Sequence, residues 1–339
     1  MHYFLKIKGE KMMKIRLVNK NEFDELMMLM NISFNFVKEE DKFENILPKL
    51  YFKDNKKMIH YGVFEDDKLV ASIGLYFMKL SNRYHSLKVG CVGAVSTHPD
   101  YRLKGYFKLL MKKIVSYAKR HNFDLLFLGG NRVRYNYFGF ENAGRRLIFN
   151  VSKRTKNRLK SSDYTVEKIL KDNVNTINEC LSLYNKQEQH IDRTLDNFYN
   201  HLLSWSCVPY VVKVKDKVIG YFCRKDEDNI YELVYKKGYL DTVLSACLAD
   251  KNGVNIQLPY SEYNRSLLNK IDWYRVEHNE MHLVLNWDNV AKYMNFKEGY
   301  QESFNKLTKK EKIRCGLGCD EFPSKYSNLD LFIYSCDQG

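Results

Sequence analysis

The stretch from residue 92 to residue 140 constrains the fold of this chain more than any other part of the sequence. An apolar segment ends there in a turn that contains Pro99, and a helix-forming segment follows. A second apolar segment, residues 125–128, then leads into two glycines and a tyrosine-rich turn. A strand that delivers the chain into a glycine-bearing turn at the start of a helix predicts a site that holds phosphate.

The helix predicted over residues 104–120 carries a single apolar stripe. Its apolar positions recur along one face, as they do in an amphipathic helix packed on a core. These positions are Phe107, Leu110, Met111, Ile114, Val115 and Ala118. With the apolar segments on either side, the order of elements up to residue 140 is β-α-β-β-β-α-β. This order predicts an α/β fold, an α+β mixed sheet with a helix docked beside its central strands.

Arg102 and Gly105 lie at the amino end of this helix. The backbone N–H groups of residues 103–108 have no acceptor within the helix, and their partial positive charge suits a pyrophosphate. Gly105 removes a Cβ atom where backbone and anion approach closely. The turn is neither a P-loop nor a Rossmann turn, because G-x-x-x-x-G-K-[ST] is absent and only one glycine is present.

The chain repeats this pattern in residues 231–258. The tripeptide Lys-Gly-Tyr at 237–239 matches the one at 104–106, and an amphipathic helix and an apolar strand follow both. A hairpin also precedes both copies, so we expect a tandem duplication. The second copy lacks the proline and the arginine of the first, and we therefore expect it to fold alike without holding phosphate.

Length and composition predict a globular protein of two domains. The chain has 339 residues, of which 45% are hydrophobic, so it is long for one core and too apolar for general disorder. No run approaches the roughly 18 consecutive apolar residues that span a membrane. The eight cysteines include no C-x-x-C pair, so we expect free thiols in a reducing cytoplasm and no metal site.

A formal net charge of +14 favours an anionic partner: a phosphorylated cofactor, a nucleic acid or a membrane surface. A lysine-rich solvated exterior explains the same charge. No RNA- or DNA-binding signature is present, so nucleic acid is a less favoured partner. We interpret the basic run over residues 145–160 as a solvated linker, with an anion-binding patch as the alternative.

The sequence V-S-T-H-P-D-Y-R-L-K-G-Y, the helix, the strand and Y-N-Y-F-G-F together resemble the GNAT (GCN5-related N-acetyltransferase) superfamily. The pyrophosphate loop of that family is Q/R-x-x-G-x-G/A, which Arg102 and Gly105 match. Phe107 departs from the family pattern at its last small position. The similarity covers residues 14–150 and, in degenerate form, residues 209–285.

A tandem GNAT chain is similar to the enhanced-intracellular-survival (Eis) type of acetyltransferase. Members of that type have an active amino-terminal GNAT domain, a degenerate second one and a carboxy-terminal domain, and here the third part is too short for a full sterol-carrier-like domain. The resemblance implies residues 1–150 as an acetyl-CoA-binding GNAT domain, 151–163 as a basic linker, 164–285 as a degenerate second GNAT-like domain and 286–339 as a reduced carboxy-terminal segment.

The resemblance implies a role for each matched position around acetyl-CoA, the expected cosubstrate. Backbone groups at the end of one strand would pair with the pantetheine arm, the turn would wrap the pyrophosphate, and the residues past the next strand would lie beside the acetyl end. These positions are Val95, Ser96 and Thr97 for the pantetheine; Arg102, Leu103, Lys104, Gly105, Tyr106, Phe107 and Lys108 for the pyrophosphate; and Gly130 and Asn131 for the acetyl end.

Tyr135, four residues before Gly139, occupies the position of the family's general acid, which protonates the departing thiolate. Such a group raises the rate by a factor of about 10²–10⁴. Tyr137 is the competing candidate, although an aromatic residue beside Phe138 and Phe140 is also expected in a core.

A base is needed to take the proton from an ammonium substrate. In the Eis type the terminal carboxylate of the chain is implicated, which makes Gly339 a candidate, and a frayed terminus is the alternative. Glu65, Asp66 and His85 are candidate bases by position, and solvated turn residues otherwise.

We therefore expect a cytoplasmic N-acetyltransferase that transfers an acetyl group from acetyl-CoA to a primary amine by direct attack on the thioester. A non-catalytic acyl-CoA-binding regulator is the first alternative, and a nucleic-acid or anionic-surface binder is the second. The expected partners are acetyl-CoA and an amine that no motif identifies: an aminoglycoside, a peptide or lysine amine and a polyamine all stay open. The sequence also leaves open whether the chain forms a homo-oligomer, and no membrane partner is expected.

Overall fold

The structure, a computed structural model, describes residues 4–6, 12–248, 251–318, 326–327 and 329–338. Its strands form two mixed sheets with separate hydrophobic cores, and helices cover their faces. The α/β class predicted from the sequence is confirmed.

The amino-terminal part of the chain builds most of the first sheet. Its elements are β1 (Phe4–Lys6), β2 (Met12–Leu17), α1 (Phe23–Phe34), α2 (Phe43–Ile46), β3 (Met58–Glu65), β4 (Lys68–Asn82), β5 (Ser86–Thr97), α3 (Tyr106–Arg120), β6 (Leu125–Leu128), α4 (Arg132–Asn136) and β7 (Glu141–Asn142). Apart from the one-turn helix α2, the order from β2 to β6 is the predicted β-α-β-β-β-α-β.

Helix α3 docks on one face of the first sheet through the predicted stripe. Four of the predicted positions are fully buried: Leu110, Met111, Ile114 and Ala118. The helix begins at Tyr106 rather than at residue 104, because Gly105 has a φ of +77° and belongs to the preceding turn. Helices α1 and α2 pack on the opposite face, so the sheet is covered on both sides.

The middle of the chain builds the second sheet, and the last segments return to the first. The elements are β8 (Arg145–Ser152), α5 (Lys153–Lys156), β9 (Thr165–Lys168), α6 (Val174–Tyr184), β10 (Gln189–Ile191), α7 (Leu195–Leu202), β11 (Val208–Val214), β12 (Lys217–Arg224), β13 (Asn229–Tyr235), α8 (Leu240–Leu248), β14 (Gly253–Pro259), α9 (Glu262–Arg265), β15 (Tyr274–His278), β16 (Met281–Val284), α10 (Trp287–Tyr293), α11 (Tyr300–Asn305) and α12 (Lys309–Leu317).

The strand order of the first sheet is β1-β2-β3-β4-β5-β6-β16-β7, with β10 paired to the end of β4. The second sheet has the order β15-β8-β14-β13-β12-β11-β9. The predicted repeat is visible in both, since β5 and β6 are parallel around α3 as β13 and β14 are parallel around α8. Gly238 has a φ of +91°, so it turns the chain into α8 as Gly105 does into α3.

The two sheets exchange strands, and here their limits differ from the domain limits expected from the sequence. Residues 145–152 form β8 of the second sheet, although residues 145–150 were expected in the first domain and residues 151–152 in the linker. Residues 281–284, expected in the second domain, form β16 and pair with β6 and β7 of the first. Periodicity does not show this, because a strand's local pattern is the same in whichever sheet it pairs.

Residues 164–205 contain the helices α6 and α7 together with the short strands β9 and β10. The basic segment after β8, interpreted as a solvated linker, has mostly exposed side chains. It is also attached to the second domain by Arg158 with Asp272 and by the backbone N–H of Lys160 with Asp241. Residues 329–334 form no strand in the described part of the chain.

The carboxy-terminal residues 329–338 pack between the two cores and are fixed there by a buried ion cluster. Arg193 donates from Nε to Asp337 at 2.8 Å and from both Nη atoms to Glu232 at 2.8 and 2.6 Å. Burial opposes ionisation of Asp337, yet the Arg193 guanidinium holds the pKa of that carboxyl well below its usual range. Lys49 completes the attachment by donating to the backbone carbonyls of Cys336 and, at 2.8 Å, of Gln338.

Arg193→Met should destabilise the whole fold strongly, because it leaves Asp337 and Glu232 buried without their cation. We expect the free energy of unfolding to fall by about 3–5 kcal/mol, which is the usual cost of breaking a buried ion pair. Urea unfolding measures this loss.

The control for this variant is Lys306→Met, which removes an exposed pair with Glu302. Exposed pairs contribute about 0–1 kcal/mol. Equal losses in the two variants would show that the Arg193 cluster does not fix the tail.

Candidate active site

The site begins where β5 and β6 separate. The two parallel strands pair from Val89 with Leu125 to Cys91 with Phe127, and beyond that point β5 pairs with β4 alone among the described strands. The register of β5 shifts at a bulge where Ala94 has a φ of +47°. The last part of β5 therefore presents a backbone edge to which an extended ligand can add in the manner of a strand.

The structure places the residues predicted for the pantetheine on this edge. Val95 and Thr97 are half-buried, and Ser96 is buried. The Ser96 hydroxyl donates to the Ala94 carbonyl at 3.1 Å, so its side chain is used inside the bulge. The Ser96 side chain is therefore engaged within the chain, and its hydroxyl does not face a ligand on the free edge.

The predicted phosphate turn has a backbone suited to an anion. Leu103 and Gly105 both have positive φ values, +66° and +77°, and such turns bring successive N–H groups to face a common point. No atom lies within 4 Å of the position that a Cβ on Gly105 would occupy, and the Leu103 side chain is fully exposed. The concave side of the turn is open.

The basic side chains of this turn have neighbours of their own. Lys104 pairs with Glu65 at 3.0 Å, and Lys108 lies 4.7 Å from the centre of the Tyr137 ring. Arg102 reaches the Ser33 carbonyl at 3.4 Å. They surround the turn with positive charge, while the backbone N–H groups offer the directed hydrogen bonds.

The end of β6 brings the two predicted acyl-end residues together with Tyr135. Gly130 has a φ of +134°, and a Cβ there would lie 3.0 Å from Tyr135 Cε2, so a larger residue would both strain the backbone and displace the ring. Asn131 begins α4, with its Oδ1 accepting from the Val133 N–H at 2.9 Å. The glycine thus allows the tyrosine to pack directly against the strand end.

Tyr135 is half-buried against aromatic neighbours. The rings of Phe107 and Phe140 meet it edge to face at centroid distances of 5.6 and 6.4 Å. Burial raises the pKa of Tyr135 above its ordinary value of 10.0, so the phenol stays protonated at neutral pH. Phe107, the departure from the family's small residue, forms part of the wall that holds this ring.

Tyr137 has a different environment, since 66% of its surface is exposed. A hydrogen bond from Lys108 lowers its pKa from the ordinary value. The expectation that Tyr137 is a core aromatic is therefore wrong, and its side chain lies on the surface beside α3.

Sequence reasoning missed the residues that fix α4. Arg132 makes two bonds to Glu141, at 2.6 and 2.7 Å, and Asn136 donates to the same carboxylate at 3.0 Å. Glu141 is buried and its pKa is lowered, because these bonds and that of the Asn142 N–H outweigh its burial. The sequence gives one weak indication of this ion pair: a basic and an acidic residue lie nine positions apart, on either side of the tyrosine motif.

The predicted bases lie elsewhere or outside the described residues. Glu65 is held by Lys104 at the phosphate turn, Asp66 is in the β3–β4 turn, and His85 precedes the opposite end of β5. Gly339 is outside the described residues. Its neighbour Gln338 donates from Nε2 to the Ile333 carbonyl at 3.4 Å and also bonds to the side chain of Glu280 near the end of β6.

A cavity of about 760 Å³ also opens at the ends of β13 and β14, the second copy of the repeat. Lys236, Lys237 and Asn264 line it. This copy lacks the arginine of the phosphate turn, and the tyrosines after its second strand, Tyr260 and Tyr263, are not followed by the Gly-Phe of the first copy.

Two properties of the described residues limit the classes of site. Within these residues, no three His, Cys, Asp or Glu side chains are grouped so as to hold a metal ion. None of the described helices is long and apolar enough to cross a membrane.

The comparison with known families agrees with this geometry. Residues 14–143 match the family model of the acetyltransferase (GNAT) domain. No curated protein matches the sequence significantly.

Solved structures share the fold over most of the chain. A probable N-acyltransferase from Enterococcus faecalis V583 superposes with a TM-score of 0.68 and 14% identity, over 85% of this chain and 76% of that one. The GCN5-related N-acetyltransferase from Kribbella flavida gives 0.62 and 16%, over 84% and 74%. Eis1 from Mycobacterium abscessus gives 0.61 and 12%, over 85% and 77%. At these identities the likeness concerns the fold.

Phe107→Ala should destabilise the protein, although it brings the turn closer to the family pattern. The variant loses two edge-to-face contacts, with Tyr135 and Phe138, and opens space beside α3. We expect a loss of about 1–3 kcal/mol in the free energy of unfolding, measured with urea.

Leu103→Ala is the matched control, because the Leu103 side chain is fully exposed. A surface change of this kind should alter stability by less than about 0.5 kcal/mol. A Phe107→Ala protein as stable as wild type would contradict the supporting role of this ring.

Proposed function

We propose that this chain, whose residues 14–143 match the family model of the acetyltransferase (GNAT) domain, transfers an acetyl group from acetyl-CoA to a primary amine. The observation that carries the proposal is the gap between β5 and β6. It has a phosphate-type turn beyond one end and the protonated Tyr135 at the other. The arrangement matches a long ligand with an anionic end and a reactive end.

The residues around the gap fit the parts of such a ligand. The backbone edge of Val95–Thr97 would pair with the amides of pantetheine. The N–H groups of Leu103–Lys108 would bind the pyrophosphate, with Arg102 adding charge. Gly130 and Asn131 would lie beside the acetyl end, where the absence of a side chain at Gly130 leaves room.

Acetyl-CoA supplies the thioester carbonyl, and the protein then has to stabilise the developing negative charge on the oxygen and protonate the leaving thiolate. A backbone N–H on the separated end of β5 stabilises the negative charge that develops on the carbonyl oxygen while the amine nitrogen forms the new C–N bond. The Tyr135 hydroxyl gives its proton to the sulfur as the C–S bond breaks. The new amide nitrogen still carries an extra proton, and it gives this proton to the Tyr135 phenolate.

Tyr135 suits this role better than Tyr137. It packs against Gly130 at the strand end, whereas Tyr137 lies on the surface with Lys108. A buried phenol with a raised pKa keeps its proton until a stronger base, the departing thiolate, forms beside it.

Tyr135→Phe should lower kcat by about 10²–10⁴-fold and leave the affinity for CoA unchanged, because it removes the proton and keeps the ring. Thiol release with acetyl-CoA and a panel of amines measures kcat, and calorimetry measures CoA binding. The panel contains an aminoglycoside, spermidine and a lysine peptide.

Tyr137→Phe is the matched control and should keep the wild-type rate. A wild-type rate in Tyr135→Phe would remove this residue from the reaction. Acetyl-CoA binding without thiol release from any amine would instead favour a non-catalytic acyl-CoA-binding regulator, and no binding at all would end both proposals.

The pH dependence of kcat also distinguishes the two tyrosines. The general acid must be protonated, and the pKa of Tyr135 is raised above 10.0. We therefore expect kcat to stay constant as the pH rises from neutral and to fall only above pH 10.0. A fall at lower pH that Tyr137→Phe removes would assign the acid to Tyr137, whose pKa is lowered.

A further inference from the structure

A cleft of about 560 Å³ opens beside the end of β6, next to the proposed acyl site. Gly129 and Gly130 form one wall, and Arg146, Glu277 and Glu280 are among the residues opposite. A carboxylate outside ion-pair distance of any described cation, in a cleft next to the reacting end of the proposed cofactor, suits a cationic acceptor. The two carboxylates are not equivalent.

Glu280 lies directly beside the strand end. Met281 is opposite Leu128 in the β16–β6 ladder, so Glu280 comes next to Gly129. Its Oε2 atom lies 2.8 Å from the position that a Cβ on Gly129 would occupy. The carboxylate therefore occupies space that only a glycine at position 129 leaves free.

Glu280 and Tyr135 approach the strand end from opposite faces. Leu128 and Met281 pack on the core beneath α3, to which Tyr135 also belongs. Phe127 belongs to the core on the other face, and the His282 ring lies 6.3 Å from it. Since side chains alternate along a strand, the Cβ position of Gly129 faces away from the Leu128 side chain, and the Glu280 carboxylate beside it therefore lies on the face of Phe127, away from α3.

The backbone at Glu280 is costly for a residue of this type. Its φ of +74° lies in the left-handed region, where glycine or asparagine is usual. The preceding Asn279 holds the turn by two bonds to the tail: its Oδ1 accepts from the Ile333 N–H at 2.8 Å and its Nδ2 donates to the Ile333 carbonyl at 3.2 Å. Strain that is held in place by its surroundings is typical of functional positions.

The charges of the cleft leave Glu280 available for a cation. Glu277 already pairs with Arg146 at 3.1 Å and with Arg275 at 2.6 Å. Among the described residues, none of the cations lies within ion-pair distance of Glu280, whose carboxylate instead receives a hydrogen bond from the Gln338 side chain. Burial raises the pKa of Glu280, with Arg146 acting in the opposite direction.

Building on the proposed acetyl transfer, we infer that the Glu280 carboxylate binds the ammonium group of the acceptor and takes its proton. The ammonium loses one proton to Glu280, which becomes a neutral carboxylic acid, and the nitrogen gains the lone pair that attacks the thioester carbon. The C–N bond forms, the C–S bond breaks, and the thiolate takes a proton from Tyr135. The amide nitrogen then gives its extra proton to the Tyr135 phenolate. Glu280 later releases its proton to solvent. The acceptor class is thus a primary amine that is cationic in solution.

Glu280→Gln tests this step, because the amide keeps the shape and loses the charge and the basicity. We expect kcat/KM for the amine to fall by about 10²–10⁴-fold, while calorimetry gives an unchanged affinity for acetyl-CoA. The matched control is Glu167→Gln on β9, an exposed glutamate at the edge of the second sheet, which should keep the wild-type value.

A second acceptor separates proton removal from a structural effect. A fluorinated analogue of the accepted amine, largely neutral at the assay pH, needs no base. The loss in Glu280→Gln should therefore be much smaller for this analogue than for the parent amine. An equal loss with both amines would overturn the role of Glu280 as a proton acceptor.

The outcomes distinguish this inference from the proposed function. If wild-type protein acetylates an amine and Glu280→Gln does so at the same rate, the inference is wrong and the acetyltransferase assignment stands. If wild-type protein acetylates none of the panel amines, the proposed function fails and the inference fails with it.

Discussion

The separation of β5 from β6 beyond Cys91 and Phe127 is the constraint on which the site depends. Parallel strands ordinarily pair along their common length, because a buried backbone group without a partner costs about 1–3 kcal/mol. The bulge at Ala94 turns β5 away and leaves it paired with β4 alone among the described strands. The free edge is the one that an extended pantetheine arm would complete, so a ligand of that shape supplies the hydrogen bonds that the sheet does not make.

The carboxy-terminal half of the chain contributes one strand to the same site. β16 follows the second repeat in the chain but pairs between β6 and β7, and so the residue before it, Glu280, comes beside Gly129. The carboxy-terminal residues 329–338 also hold this segment in place, because the Ile333 N–H donates to Asn279, next to Glu280, and Arg193 binds Asp337. The segment that follows the second repeat thus shapes the cleft next to the first copy.

Local patterns were enough to predict the first copy of the fold. The stripe of α3, the hairpin of β3 and β4 and the glycine turn depend on residues close in sequence, and all are present in the structure. The return of β16 was not predictable, because its apolar pattern fits either sheet and only tertiary packing selects one. For the same reason the bases suggested by position, Glu65 and His85, lie elsewhere, whereas Glu280, which comes far later in the chain, lies by the strand end.

The proposed acid and the proposed base occupy opposite faces of one strand end, and the reaction gives a reason for this. The nitrogen arrives and the sulfur leaves at the same carbonyl carbon, so the group that takes a proton and the group that gives one must reach different atoms. A carboxylate and a phenol within hydrogen-bond distance of each other would bond together, and the separate faces keep the Glu280 carboxylate and the Tyr135 phenol apart. The two glycines at 129 and 130 remove the side chains that would otherwise separate each group from the reacting carbonyl, one on each face.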